Sequence, residues 1–254
     1  MIIGLISACS QSETKKQQDF IQLGVFNVHH ISPKRTEVRD GAGRTLVLIP
    51  RDTQAPKDIA PHRIIRTPVK RVAAYGSFNV SALKALGVIG QVLVGVTDPL
   101  EYWHIQEVRQ GLATGKIAYL GDTSNIDFER LKQQRPELVL TWDPAIIPML
   151  NDLGIPCMIT SSSTAMCLNT RIRFVKFLAP FFNKEKEAQA FIHRVNQTLT
   201  TIREQTSDAS PPPKVMWGDI YEKRVLVEPG NAWVAELINI LQSDYLFDDV
   251  FGTS

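Results

Sequence analysis

"VKRVAAYGSFNVSALKALGVIGQVLVGVTD", residues 69–98, decides the fold. Its first apolar run, Val72 to Tyr75, is short and strand-like. Val80, Leu83 and Leu86 then recur at helical spacing, Gly87 closes the helix, and "QVLVGV" (91–96) is a second apolar run. Strand, helix, strand is the unit of a parallel α/β sheet. The alternation continues through the strand "KIAYLG" (116–121), a helix around Asp127 to Gln134 and the strand "ELVLTW" (137–142). A helix near "AIIPMLNDL" (145–153) follows, with Gly154 as its stop, and then the strand "PCMIT" (156–160). Upstream, "TEVRDGAGRTLVLIP" (36–50) reads as two short strands around a glycine-rich turn. Downstream, Lys184 to Thr206 holds no Gly or Pro. There Ala188, Phe191, Ile192, Val195, Leu199 and Ile202 form one apolar stripe, predicting a single long helix with Asn183 as its cap. "SDASPPPK" (207–214) ends it, and the strands "VMWGDIY" (215–221) and "RVLVEPG" (224–230) and the helix "NAWVAELINILQ" (231–242) begin a second α/β lobe.

The expected organisation is a clipped signal and tether over residues 1–19, a hairpin and loop extension over 20–70, a first α/β lobe over 71–182, and an interlobe helix over 183–207. The start of a second lobe occupies 213–254, and about forty residues do not complete one. Formal net charge is +2, from 28 basic and 26 acidic residues without long like-charge runs, so composition gives no support to nucleic acid or acidic membrane surfaces as partners. Ile6-Ser7-Ala8-Cys9 resembles a lipoprotein lipobox, which would leave Cys9 lipidated and Ser10 to Gln18 as a polar tether. No basic segment precedes it and the apolar stretch is short, so the expected true start lies upstream. The alternative is an ordinary strand with a buried cysteine. Cys157 and Cys167 read as small buried residues or as a disulfide pair, and spacing leaves both open.

Taken in order, these landmarks resemble the Fe/B12 type of periplasmic substrate-binding protein, which feeds ferric siderophores, haem or cobalamin to ABC importers. "GAGRTLVLIP" (41–50) is similar to the family's opening hairpin and residues 69–98 to its first strand-helix-strand. "YLGDTSNIDFERLKQQRPELVLTW" (119–142) is similar to its Glu-bearing helix and following strand, while "LGIPCMIT" (153–160) and "SDYLFDD" (243–249) fit later landmarks. The resemblance implies two Rossmann-like lobes with parallel sheets, joined by a rigid helix and gripping the ligand between them. It also implies a monomer without cofactor or enzymatic activity, placed in the periplasm or on the outer face of the cytoplasmic membrane and delivering to an ABC permease and its ATPase. By the same resemblance Glu129 would meet the permease, where a solvated helix carboxylate is the plain alternative. Two long segments depart from the pattern, the connection before Lys70 and "DPLEYWHIQEVRQGLATGK" (98–116), which sets Tyr102, Trp103 and His104 just after a strand end.

In an open parallel sheet ligands gather at the carboxyl ends of the strands. That rule nominates Tyr75, Ser77, Asp98, Tyr102, Trp103, Asp122, Trp142, Asp143 and Ser162 from the first lobe, with Trp217 and Tyr221 from the second. Aromatic faces suit a broad, flat chelate, and carboxylates and hydroxyls suit its rim. Each aromatic has a core reading as its alternative, and Asp122 and Asp143 have a helix-capping one; Trp233 reads as core. An anionic chelate would call for cleft arginines. The sequence places none there, which favours a neutral or cationic chelate, including a corrinoid. His29, His30, His62, His104 and His193 show no metal-ligand spacing, although His104 or Tyr102 would serve as a lone axial ligand to haem or cobalt. No Gly-x-Ser-x-Gly, dinucleotide or phosphate-loop motif marks an enzyme. A surface-anchored chelate sensor would use the same cleft chemistry as a transport component.

Overall fold

The computed structural model describes residues 20–161, 167–206 and 211–252. Cys9 and Ser162 lie outside the described residues.

The amino-terminal region forms more than a hairpin. β1 (Phe20–Leu23), β2 (Phe26–Ser32), β3 (Arg35–Arg39), β4 (Thr45–Pro50) and β5 (Ile64–Thr67) lie side by side in that order, antiparallel except for the parallel β4–β5 pair. Phe26 and Val28 alternate with more exposed neighbours, as on a sheet covered on one face. Leu46 to Ile49 are all buried, so both faces of β4 are covered.

The second sheet is the parallel one that residues 69–98 predict. It contains β6 (Val72–Ala74), β7 (Leu93–Val96), β8 (Ala118–Tyr119), β11 (Leu138–Thr141) and β12 (Cys157–Ile159), in the order β12-β11-β6-β7-β8. These strands are continuous apolar runs because helices cover both faces. Side chains divide by the two-residue period: Val72, Ala74, Leu138 and Leu140 enter one core, while Ala73, Tyr75, Val139 and Cys157 enter another on the opposite face. Between the strands run α1 (Gly76–Ala85), α2 (Ile89–Val92), α3 (Gln106–Ala113), the small hairpin β9 (Gly121–Asp122) and β10 (Asn125–Ile126), α4 (Phe128–Gln133) and α5 (Ile147–Asp152).

A helix that the sequence reading did not anticipate, α6 (Leu168–Phe182), packs on the first sheet and against α1. Its Phe174, Phe177 and Phe181 are buried, and Phe26 of the first sheet meets Phe174 and Phe177 at ring-centroid distances of 5.2 and 5.1 Å. The long helix is present as α7 (Glu185–Gln205). Asn183 does not cap it: this residue ends α6 in the left-handed conformation, φ 56°, and Lys184 precedes α7 without a side-chain cap bond. Of the stripe on α7, Ala188 and Ile192 are buried and the remaining members are half-buried.

The carboxy-terminal elements are β13 (Lys214–Val215), the antiparallel hairpin β14 (Gly218–Tyr221) and β15 (Arg224–Val227), α8 (Trp233–Ile240), and β16 (Asp244–Tyr245), which pairs parallel with β13. Val234, Ala235, Ile238 and Tyr245 form their small core, and α8 packs on α6 and α7.

One cluster clasps the first sheet to the edge of the second. The Asp40 carboxylate, fully buried, accepts hydrogen bonds from the amides of Ala42, Arg44 and Ile159 and from the Arg44 guanidinium, the closest at 2.6 Å. Arg44 also donates to the Cys157 carbonyl at 2.9 Å, and the Gly41 amide donates to the Ile159 carbonyl at 2.9 Å. The free edge of β12 is thereby occupied. Residue 41 has to be glycine, since a Cβ there would stand 1.7 Å from the Ser161 carbonyl oxygen. Cys157 and Cys167 are both free thiols, so the disulfide alternative falls away. Burial pushes the Cys157 thiol up, and the neighbouring Arg44 opposes that shift.

Candidate functional site

The strand order of the parallel sheet turns back on itself between β6 and β11: the chain winds outward through β7 and β8, then crosses to place β11 on the other side of β6. The loops that leave β6 and β11 therefore diverge and open a crevice at their carboxyl ends. Buried threonine hydroxyls stitch these loops together. Thr97 accepts from the Gly76 amide at 3.0 Å, Thr141 from the Asp143 amide at 3.1 Å, and Thr160 donates to the Thr141 carbonyl at 3.1 Å.

Trp142, 47% exposed, stands at the mouth of this crevice, with Ser77 exposed on the first turn of α1 after β6. Its carbonyl accepts from the Ser161 hydroxyl at 2.6 Å, which ties the loop after β11 to the loop after β12. Asp143 takes the capping role: its carboxylate accepts from the Ala145 amide at 2.8 Å at the start of a short turn leading into α5. Asp122 is not a helix cap. It accepts the Tyr119 hydroxyl at 2.6 Å, a bond that pushes Tyr119 up to about 12, and Asp127 caps α4 instead. Asp98 sits in the left-handed region, φ 70°, where partial burial raises its carboxyl, the Thr97 hydroxyl opposes, and Asp122 adds to the rise.

Two nominated aromatics are core residues. Tyr75 follows Ala73 on the same face of β6 and is buried in the core beneath α4 and α5; its hydroxyl has no partner among the described residues, and burial raises it. Trp103 is buried too, and its indole donates to the Asp98 carbonyl at 3.0 Å, fixing that left-handed turn. Tyr102, beside it, is the exposed one at 72%. Tyr102, Asp98 and Asp122 belong to the β7–β8 half of the sheet end, away from Trp142. Glu129 is exposed on the first turn of α4. The backbone of Tyr221 closes the β14–β15 hairpin, paired with Arg224.

The carboxy-terminal elements bring an aromatic group to the same end of the molecule. Trp217, exposed, meets Trp233 edge-to-face at 6.3 Å. Trp233 is half-buried at the start of α8 and does not join the small core as a fully enclosed side chain. Between Trp233 and Phe78 of α1 lies the Arg171 guanidinium, 4.9 Å from the first ring and 5.8 Å from the second. Glu236 of α8 accepts the Leu168 amide at 3.0 Å, so α8 holds the start of α6 through both contacts. Arg171 carries no signal in the sequence because its place depends on α6 and on the packing of α6 against α8. Among the described residues no group of three or more His, Cys, Asp or Glu side chains is disposed to hold a metal ion.

The sequence profile described as "Periplasmic binding protein" matches residues 72–249, from the first parallel strand to the last described elements. The chain belongs to the periplasmic binding protein family. Members of this family bind ligands and do not transform them. An uncharacterized lipoprotein of Methanocaldococcus jannaschii is 26% identical over 200 residues, covering 75% of this chain and 48% of its own length. The chain thus spans about half the length of that relative. Among solved structures, a possible iron-binding (periplasmic solute-binding) protein of Staphylococcus epidermidis superposes with a TM-score of 0.60 at 18% identity, covering 74% of this chain and 71% of that one. The siderophore-binding protein FhuD of Vibrio cholerae, bound to Fe3+-Desferal, gives 0.57 at 16% identity, with 69% and 66% covered. Both share the α/β fold.

Proposed function

We propose that this protein is the extracytoplasmic substrate-binding component of an ABC importer, capturing an iron chelate, haem or a corrinoid between two lobes and passing it to the permease. The observation that carries this reading is a set of exposed rings: Trp142 and Phe78 just past the carboxyl ends of β11 and β6, and Trp217 against Trp233, which with Phe78 flanks Arg171. Aromatic faces give a flat chelate large contact area at low entropic cost. Family membership and the iron-related neighbours of the same fold support it. In this reading α7 is the rigid link between lobes, Glu129 docks on the permease with its ATPase, the binding protein acts as a monomer, and Cys9 carries a lipid that tethers it outside the cytoplasmic membrane. No helix among the described residues is long and apolar enough to cross a membrane.

The test is a titration with haem, cobalamin and ferric chelates while following tryptophan fluorescence. Saturable quenching by one class supports the reading. Silence across the set from a demonstrably folded protein refutes it.

A further inference from the structure

Among the described residues Arg171 is the cation set over aromatic rings. It stands one turn into α6, where its guanidinium is flanked by Phe78 of the first lobe and Trp233 of α8. Partial desolvation there lowers its affinity for the proton, and the negative charge of Glu228 opposes that effect. Glu228, whose Oε2 is buried without a hydrogen-bond partner, makes no ion pair with it: among the described residues Arg171 forms no ion pair and its guanidinium donates no hydrogen bond. Glu236, the other carboxylate close by, is engaged with the Leu168 amide. A planar cation held between two rings keeps its in-plane donors directed outward, ready for a bidentate acceptor, and loses little conformational freedom on binding one. Some cations elsewhere are committed differently. Arg44, Arg51, Lys84 and Lys184 are each spent on a carboxylate of this chain.

We infer that Arg171 is the specificity-determining residue of the cleft and that the ligand is an anionic chelate, presenting a carboxylate or catecholate oxygen pair to this guanidinium while its flat face lies against the neighbouring rings. The inference rests on the binding-protein reading above and narrows it, because neutral and cationic chelates give the stacked guanidinium nothing to hold and oblige it to lose water without compensation. It also reverses the expectation, drawn from the sequence, of a neutral or cationic ligand.

Two probes separate the alternatives: a ferric tris-catecholate complex, which is anionic, and Fe3+-Desferal, which is cationic. Each is titrated against the parent protein, Arg171→Gln and Arg171→Lys, with near-ultraviolet circular dichroism reporting the fold. The parent should prefer the anionic probe. Arg171→Gln should weaken that probe by about 10- to 100-fold, the scale of a lost charge-assisted contact, while leaving the cationic probe within about twofold. Arg171→Lys should recover part of the loss. A parent protein that binds the cationic probe as tightly as the anionic one overturns the inference but leaves the binding-protein reading intact. So does an Arg171→Gln variant that weakens both probes equally or neither. If folded parent protein binds neither these probes nor haem nor cobalamin, the binding-protein reading fails and this inference falls with it.

Discussion

Replacing Asp40 by alanine should cost about 3–5 kcal/mol of stability, the scale for stripping one partner from a buried ion pair. The structure sets out why. The Asp40 side chain is wholly buried, and its two oxygens accept from three amides and from two nitrogens of Arg44, whose own side chain is 22% exposed. Hydrogen bonds to a charged group are each worth about 1.5–3 kcal/mol. They do not add here, because Arg44 retains the Cys157 carbonyl and some access to water. The Ile159 amide, by contrast, is left buried without an acceptor. Arg44→Ala should cost less, about 1–2 kcal/mol, since the carboxylate keeps its three amides. The double variant should cost less than the sum of the two, because the residues are directly coupled. Urea unfolding of the parent and the three variants, followed by far-ultraviolet circular dichroism, measures all of these. The reasoning is refuted if Asp40→Ala lies within about 1 kcal/mol of the parent, if Arg44→Ala is the more damaging change, or if the two effects add.

Trp142→Ala should weaken chelate binding by roughly 30-fold, the effect of about 2 kcal/mol for an aromatic anchor, without altering stimulation of the transporter ATPase by saturated protein. Glu129→Ala should do the opposite, leaving the titration unchanged and lowering that stimulation; isothermal titration and an ATPase assay in reconstituted membranes distinguish the two. Asp98→Asn should stabilise the fold at neutral pH. Burial raises the Asp98 carboxyl above its ordinary value, so its contribution is present below that value and is lost as pH rises through the raised one. Asparagine carries no such penalty and tolerates the left-handed backbone. The gain should therefore vanish in melts recorded below the ordinary aspartate range.

The parallel sheet was legible because its strands are uninterrupted apolar runs separated by helices with clear stops. The place of Tyr75 was legible as well, in hindsight of its period: it stands two residues after Ala73 and shares that core-facing side. The first sheet was only partly read. Phe26 and Val28 alternate with Asn27 and His29, a strand signal that shows its worth only when β1 and β3 are present to pair with it. α6 escaped notice for a local reason. Pro180 looks like a breaker, yet it falls in the last turn, where only one backbone bond is forgone. Without α6 there is no way to bring Arg171 beside Trp233, so this guanidinium was hidden, and of the rings that flank it Trp233 reads as core and Phe78 carries no signal in the sequence.

The clasp from Arg44 to Cys157 joins partners 113 residues apart in the chain, and the aromatic seam between Phe26 and α6 spans a still longer separation. At a synthesis rate of about 5–20 residues per second, the first sheet waits roughly 6–23 s for the strand that its turn covers. Through that interval its apolar face is bare and the surface meant for Phe174 and Phe177 has no cover. A chain made from its amino terminus thus presents this apolar face before the segments that cover it exist.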